Sequence, residues 1–187
     1  MGRTSTPRDR LIDTAAELFY SRGLPNVGIN EVTERAGVAR MTLYNNFDSK
    51  QALALAAFER KAEARRAVME ERLDRARTPA DAVKAMFDLS EHFATESCFR
   101  GCPFINVTVQ DPQPEGPMHL LVRKHKVWIR EKFRDIAARA GHKRPGVTAQ
   151  QLLALLDGSS MEAFIQGDTE IIRASKHAAL FLLNAQQ

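Results

Sequence analysis

Between Arg40 and Lys50 the chain gathers Arg40, Met41, Thr42, Tyr44, Asn45, Asn46 and Lys50. A guanidinium can make a two-point hydrogen bond to a guanine edge, and a carboxamide can do the same to adenine. A threonine or methionine methyl can touch the methyl of thymine. Tyrosine hydroxyl and lysine ammonium suit phosphate oxygens. Lys50 is favoured further, because the free N–H groups at a helix start attract an anion. Other reactive side chains do not assemble into familiar machinery. His92, His119 and His125 lack metal-ligand spacing, and Cys98 with Cys102 lacks the two-residue gap of a zinc knuckle. No Ser/His/Asp order, inward carboxylate pair or phosphate loop is visible, so neither an enzyme, a metal nor a cofactor is expected.

The elements around these residues read as helices. Ile29, Val32 and Ala36 make the inward face of a short helix over 29–36, and Gly37 provides a tight turn. Val38 plugs the junction, and Leu43 and Phe47 anchor a second short helix over 40–47. Thr6-Pro7 opens a helix over 7–22 that Gly23 ends. Asp48 with Gln51 suggests a capping box for a long helix reaching about Arg77, and Thr78-Pro79 starts another to Ala94. Further helices are expected over 104–110, 118–140, 148–166 (with Thr148 and Gln151 as its box) and, capped by Asp168-Thr169, to Asn184. That is nine helices and an all-α fold.

The segment Gly37-Val38-Ala39-Arg40-Met41-Thr42-Leu43-Tyr44-Asn45-Asn46-Phe47-Asp48-Ser49-Lys50 resembles the recognition segment of the tetracycline-repressor (TetR) family of bacterial regulators. The likeness extends over about residues 8–58, through Leu11, Ala15, Leu18, Phe19, Gly23, Ile29, Val32, Ala36 and Leu53. It implies a two-domain, all-α homodimer. An N-terminal helix-turn-helix domain over 1–50 (the motif at about 29–48) would bind a double-stranded operator. A C-terminal domain over 51–187, reached by a linking helix over 50–77, would take a small effector and dimerise. The expected result is a repressor released from DNA by that effector. Two positions depart from the family pattern. Val27-Gly28 replaces the hydroxyl pair that caps the second helix, leaving Asn26 or Asn30 to take over that contact. Asn46 stands where His or Tyr is commoner.

Charge and composition set the limits. The 187 residues hold 27 Lys+Arg against 23 Asp+Glu, a net charge of +4, with 44% hydrophobic residues. That suits a folded core and excludes a disordered chain. No run nears the roughly 20 apolar residues of a membrane span, and no apolar stretch follows Met1-Gly2-Arg3-Thr4-Ser5-Thr6-Pro7. The expectation is a soluble cytoplasmic protein with no membrane partner. Residues 1–60 carry eight cations against seven acids, so Asp13, Glu17, Glu31 and Glu34 must face away from any duplex. Arg3 on the N-terminal arm, together with Arg8, is a candidate for minor-groove or phosphate contact.

In the C-terminal half, Leu152, Leu156, Ser159, Ala163, Ile172, Ala179 and Leu182 are expected to form a four-helix dimer interface, since the 148–166 helix is apolar around most of its circumference. Phe87, His92, Phe93, Phe104, Thr108, His125 and Trp128 are candidates for an effector pocket. Nine Lys and Arg lie within 117–150 against two acids, either a solvated face or an attraction for an anion. Cys102, beside Arg100, reads either as an electrophile-sensing thiol or as a buried structural one.

Overall fold

Thr6 and Thr78 each stand one residue before a proline and start a helix by the same device. The Asp9 N–H donates to Thr6 Oγ1 at 3.1 Å while the Thr6 N–H donates to Asp9 Oδ2 at 3.3 Å. Thr78 and Asp81 repeat the exchange at 3.1 and 3.2 Å. Each box satisfies two backbone donors that a helix start otherwise leaves open.

The computed structural model describes residues 5–111 and 113–185. Among them are nine α-helices and no strands: α1 (Pro7–Arg22), α2 (Ile29–Ala36), α3 (Arg40–Tyr44), α4 (Lys50–Asp74), α5 (Pro79–Ala94), α6 (Pro103–Gln110), α7 (Pro117–Arg139), α8 (Pro145–Gln166) and α9 (Glu170–Asn184). The all-α, nine-helix expectation holds. Five of the nine begin on proline, whose fixed φ suits the first helical position and whose missing N–H would be unpaired there anyway.

The differences lie at helix ends. A 3-10 turn, Leu24–Asn26, follows α1. Asp48 does not cap α4; Ser49 does, its Oγ accepting the Ala52 N–H at 3.0 Å. The expected box at Thr148 is also wrong. α8 begins three residues earlier at Pro145, and Thr148 is a buried helical residue bonded through its hydroxyl to His142 Nδ1 at 3.1 Å. The proline took the N-terminal position that the Thr148–Gln151 spacing suggested.

The chain divides into two compact units. The first runs to Ala64 and includes Pro103–Val122. Leu11, Leu18, Phe19, Val32, Leu43, Leu53, Phe58 and Phe104 are buried there. Arg60 of α4 ties back to α1, donating to Asp13 Oδ1 at 2.8 Å and Asp9 Oδ1 at 2.6 Å. Gln110, at the end of α6, accepts the Leu24 N–H at 2.9 Å.

The second unit comprises Arg65–Cys102 and the chain from Arg123 onward. Its core joins Val83, Met86, Phe87, Phe133, Ile136, Leu152 and Ile172. Arg173–Glu91 and Lys176–Asp88 bonds, both 2.6 Å, link α9 to α5. Gly101 has φ +76°, a conformation that favours glycine; a Cβ there would lie 2.6 Å from Met161 Sδ, near the flexible end of that side chain.

This packing corrects the expected dimer face. Leu152, Leu156, Ser159, Ala163, Ile172 and Ala179 are buried within their own chain, and Leu182 is half-buried. Exposed on the same two helices are Ala154, Gly158 and Ile165 of α8, and Ala174, Ala178 and Phe181 of α9, with Ile165 68% and Phe181 79% accessible. An all-round apolar helix does not reveal from its own sequence which row the core takes.

Candidate nucleic-acid interface

The turn between α2 and α3 rests on Gly37, at φ +62° and ψ +44°. Its N–H donates to the Glu34 carbonyl at 3.1 Å, and the Val38 N–H reaches back to Thr33 at 3.0 Å. This Schellman pattern closes α2 and redirects the chain within two residues. A Cβ on Gly37 would meet nothing within 4 Å, so the requirement is conformational alone.

α3 then starts from Ala39 without a side-chain cap. Leu43 is wholly buried, and Phe47, just beyond the helix, is also buried. These anchors leave Arg40, Met41, Tyr44, Asn45 and Asn46 exposed and Thr42 half-buried. Arg40 Nη2 donates to Tyr44 Oη at 3.4 Å, its guanidinium 5.6 Å from the ring centroid. The pair therefore sits on one edge of the helix, one turn apart. The helix expected to reach Phe47 stops at Tyr44. Asn46 Nδ2 donates to the Thr42 carbonyl at 2.7 Å, a local side-chain bond that competes with regular helix. Asn45 and Asn46 thus present their amides from a turn.

Asn30 lies exposed in the first turn of α2. Neither it nor Asn26 supplies the missing cap, since α2 has no side-chain cap bond and Asn26 Nδ2 instead donates to the Arg22 carbonyl at 2.9 Å. Lys50 is the first residue of α4, half-buried, with Nζ 5.9 Å from the Phe19 ring. Arg3 lies outside the described residues.

Electrostatics resolve the near-neutral charge of this region. Glu31 pairs with Arg22 and Glu17 with Arg35, while Asp9 and Asp13 pair with Arg60. The Thr6 hydroxyl, first, and Arg60 hold the Asp9 carboxyl down to about 2. These acids are thus engaged with cations of their own unit. Arg8, expected with Arg3 as a minor-groove or phosphate contact, lies near the motif, as does Arg10, which the sequence did not single out. Arg8 stands 5.2 Å from the Phe47 ring, and Arg10 Nε donates to the Ala36 carbonyl at 3.2 Å. Only folding brings Arg10 there, so sequence spacing had no means to find it. The same unit holds a cleft of about 560 Å³, lined by Leu24, Pro25, Lys50, Leu55, Gln110 and Met118 among others, from stretches far apart in the chain.

The proposed effector residues fall in both units. Phe87 and Phe104 are fully buried core side chains, Phe104 and Thr108 belonging to the first unit and the rest to the second. His92, expected on an inward or half-inward face, is exposed. Phe93 lies beneath Arg65, 4.0 Å from ring centroid to guanidinium carbon. His125 and Trp128 do meet, stacked at 6.2 Å. Cys98 is exposed, whereas Cys102 is 8% accessible with Lys126 Nζ 3.5 Å from its Sγ. Among the described residues no three His, Cys, Asp or Glu side chains cluster as a metal site requires. No helix there is long and apolar enough to cross a membrane.

Two short helices joined by a left-handed glycine turn, with a buried anchor row and an exposed polar row, define a helix-turn-helix protein. Residues 11–57 match the family of bacterial regulatory proteins, tetR family. An uncharacterized HTH-type transcriptional regulator of Mycobacterium tuberculosis, Rv1255c, is 44% identical over 59 residues, which are 32% of this chain and 29% of that protein. The HTH-type transcriptional activator FasR of Mycolicibacterium smegmatis is 38% identical over 90 residues, 46% of this chain and 41% of its own. The chain thus matches less than half the length of either relative. SCO4454, a TetR-family transcriptional regulator from Streptomyces coelicolor, superposes with a TM-score of 0.89 at 27% identity, over 95% of this chain and 94% of that one. Residues 11–57 thus carry the likeness to the tetR family, and the chain as a whole is similar in fold to TetR-family transcriptional regulators.

Proposed function

We propose that this protein is a homodimeric, sequence-specific DNA-binding repressor, released from its operator by a small-molecule effector. One observation carries the reading: Leu43 and Phe47 are buried while Arg40, Met41, Tyr44, Asn45 and Asn46 are exposed beside them. Such a row, on a helix short enough to enter the major groove, matches the donor and acceptor code of base edges. Asn30 and Lys50 supply phosphate contacts at helix starts, and Arg3 extends the contact from the N-terminal arm. The functional boundary falls at about residue 50, where α4 begins and the DNA-facing side chains end.

One half-site offers few contacts, so affinity requires two copies. The exposed stripes Ala154–Gly158–Ile165 on α8 and Ala174–Ala178–Phe181 on α9 are the faces that pair, small residues letting the helices approach and the two large apolar side chains filling the seam. The recognition helices then span half-sites about 34–36 Å apart. Effector binding favours a conformer in which that spacing is lost, which requires different affinities for the two states. An operator-bound protein works in the cytoplasm and needs no cofactor.

A footprint of the purified protein on the DNA upstream of its own gene is the test. A protected palindrome, together with raised transcription when the gene is deleted, supports the repressor. Lowered transcription replaces it with an activator, as FasR is named. Protein that protects no duplex ends the reading.

A further inference from the structure

The second unit contains a half-buried cation with one buried donor that no acid of the unit meets. Arg66, in the later half of α4, has its Nη2 fully buried and without a hydrogen-bond partner. Its Nε donates a long bond, 3.4 Å, to His125 Nδ1, and its guanidinium carbon is 5.6 Å from the Trp128 ring centroid. Two neighbouring cations already have acids: Lys126 pairs with Asp157, and Lys132 with Glu70 at 3.3 Å. No carboxylate pairs with Arg66 among the described residues. Because Nδ1 accepts a bond, His125 is neutral. Burial, and then Arg66, Lys126 and Arg65, push its imidazolium down to about 3. A guanidinium is charged at any ordinary pH, and a buried donor left unused is destabilising until an acceptor meets it, an anion best of all.

We propose that Arg66 is the counter-ion for a carboxylate on the effector, Nη2 donating to one carboxylate oxygen beside the indole of Trp128. This rests on the effector-release reading and adds the chemical class: a carboxylic acid with an apolar or aromatic body. One orphan nitrogen next to a neutral imidazole answers a single negative charge. A phosphate dianion would call for more donors than stand here. Phe93, Trp128 and Ile129 in the same unit supply apolar and aromatic surface for the body of the molecule.

The test uses the full-length protein with isotope-labelled arginine and histidine side chains. Formate is added at constant ionic strength to about 100 mM, where a Kd in the tens of millimolar still gives a measurable bound population. The expected result is a saturable shift of the Arg66 Nε–H resonance with a rise in the His125 pKa, since the anion offsets the positive field. Absence of a shift at Arg66, or a His125 response that is linear and the same in Arg66→Met, overturns the proposal. The wild-type titration decides this even if a variant misfolds. In anion-poor buffer Arg66→Met should melt no lower than wild type, because it removes an unbalanced charge; a purely structural arginine would give a large loss. Phenylacetate should raise the wild-type melting temperature more than phenylacetamide does, and bind Arg66→Met at least tenfold more weakly. Added to the protein–DNA complex, the same acids separate the two readings. Binding at Arg66 without release of DNA leaves the carboxylate seat and removes the effector mechanism. Release by neutral compounds, unchanged in Arg66→Met, leaves the mechanism and removes the seat.

Discussion

Arg40 is the first residue of α3 and the guanidinium best suited to a guanine edge, with Tyr44 one turn away holding it at the ring's side. Replacing it with Ala should cost roughly 1–3 kcal/mol at a single base pair of the operator and relax preference there. Competition gel shifts against single-position operator variants measure this. An equal loss at every position would make Arg40 a phosphate contact instead. The same scale explains why a region with seven acids can face DNA. Glu17, Glu31, Asp9 and Asp13 are paired with Arg35, Arg22 and Arg60, so four of the seven acids are already engaged by cations of their own unit, which lowers the repulsion the proposed DNA contact would meet.

Helix ends decide how these side chains are presented. α1 carries Arg8 and Arg10, and its start depends on the Thr6–Asp9 box, with Arg60 of α4 on the same carboxylate. The Asp9 carboxyl is held at about 2 in the folded protein against an ordinary value near 3.9. An unfolded chain therefore takes up this proton at higher pH than the folded one does. The stability it confers is whole above about pH 4 and fades as pH falls through about 2. Thermal melts of Asp9→Asn should begin lower than wild type at neutral pH and lose less over that acid window. A wild-type slope retained by the variant would assign the acid sensitivity elsewhere. The Gly37 turn belongs to this scale too. A helix-turn-helix needs its second helix within two residues of the first, and the left-handed region at Gly37 achieves that without a long loop.

For the whole molecule the question is which surface meets a second copy. Leu156 is 7% accessible in a single chain, so a charge there would break the core of the second unit. Phe181 and Ile165 are largely exposed, so Phe181→Glu or Ile165→Glu should stay folded, elute as a monomer and bind the operator weakly. Sedimentation and circular dichroism together give the answer. A dimer of undiminished affinity would move the interface off α8 and α9. Since each phosphate contact contributes about one unit to the slope of log K against log salt, loss of one half-site should also about halve that slope.

Much of this protein was legible residue by residue. Thr6-Pro7, Thr78-Pro79, the Gly37 turn and the Leu43/Phe47 spacing announce nine helices and a helix-turn-helix, because caps, left-handed glycines and 3.6-residue periodicity act within a few positions of themselves. Competing local signals blurred some ends. Pro145 displaced the start expected at Thr148, and the Asn46–Thr42 bond shortened α3. Tertiary packing alone decided which apolar row of α8 and α9 turned inward, which arginines the acids of the first unit engaged, and that Arg66 was left half-buried, with one unpartnered donor, beside a neutral His125. Those outcomes depend on side chains brought together from distant parts of the chain, and no local periodicity encodes such meetings.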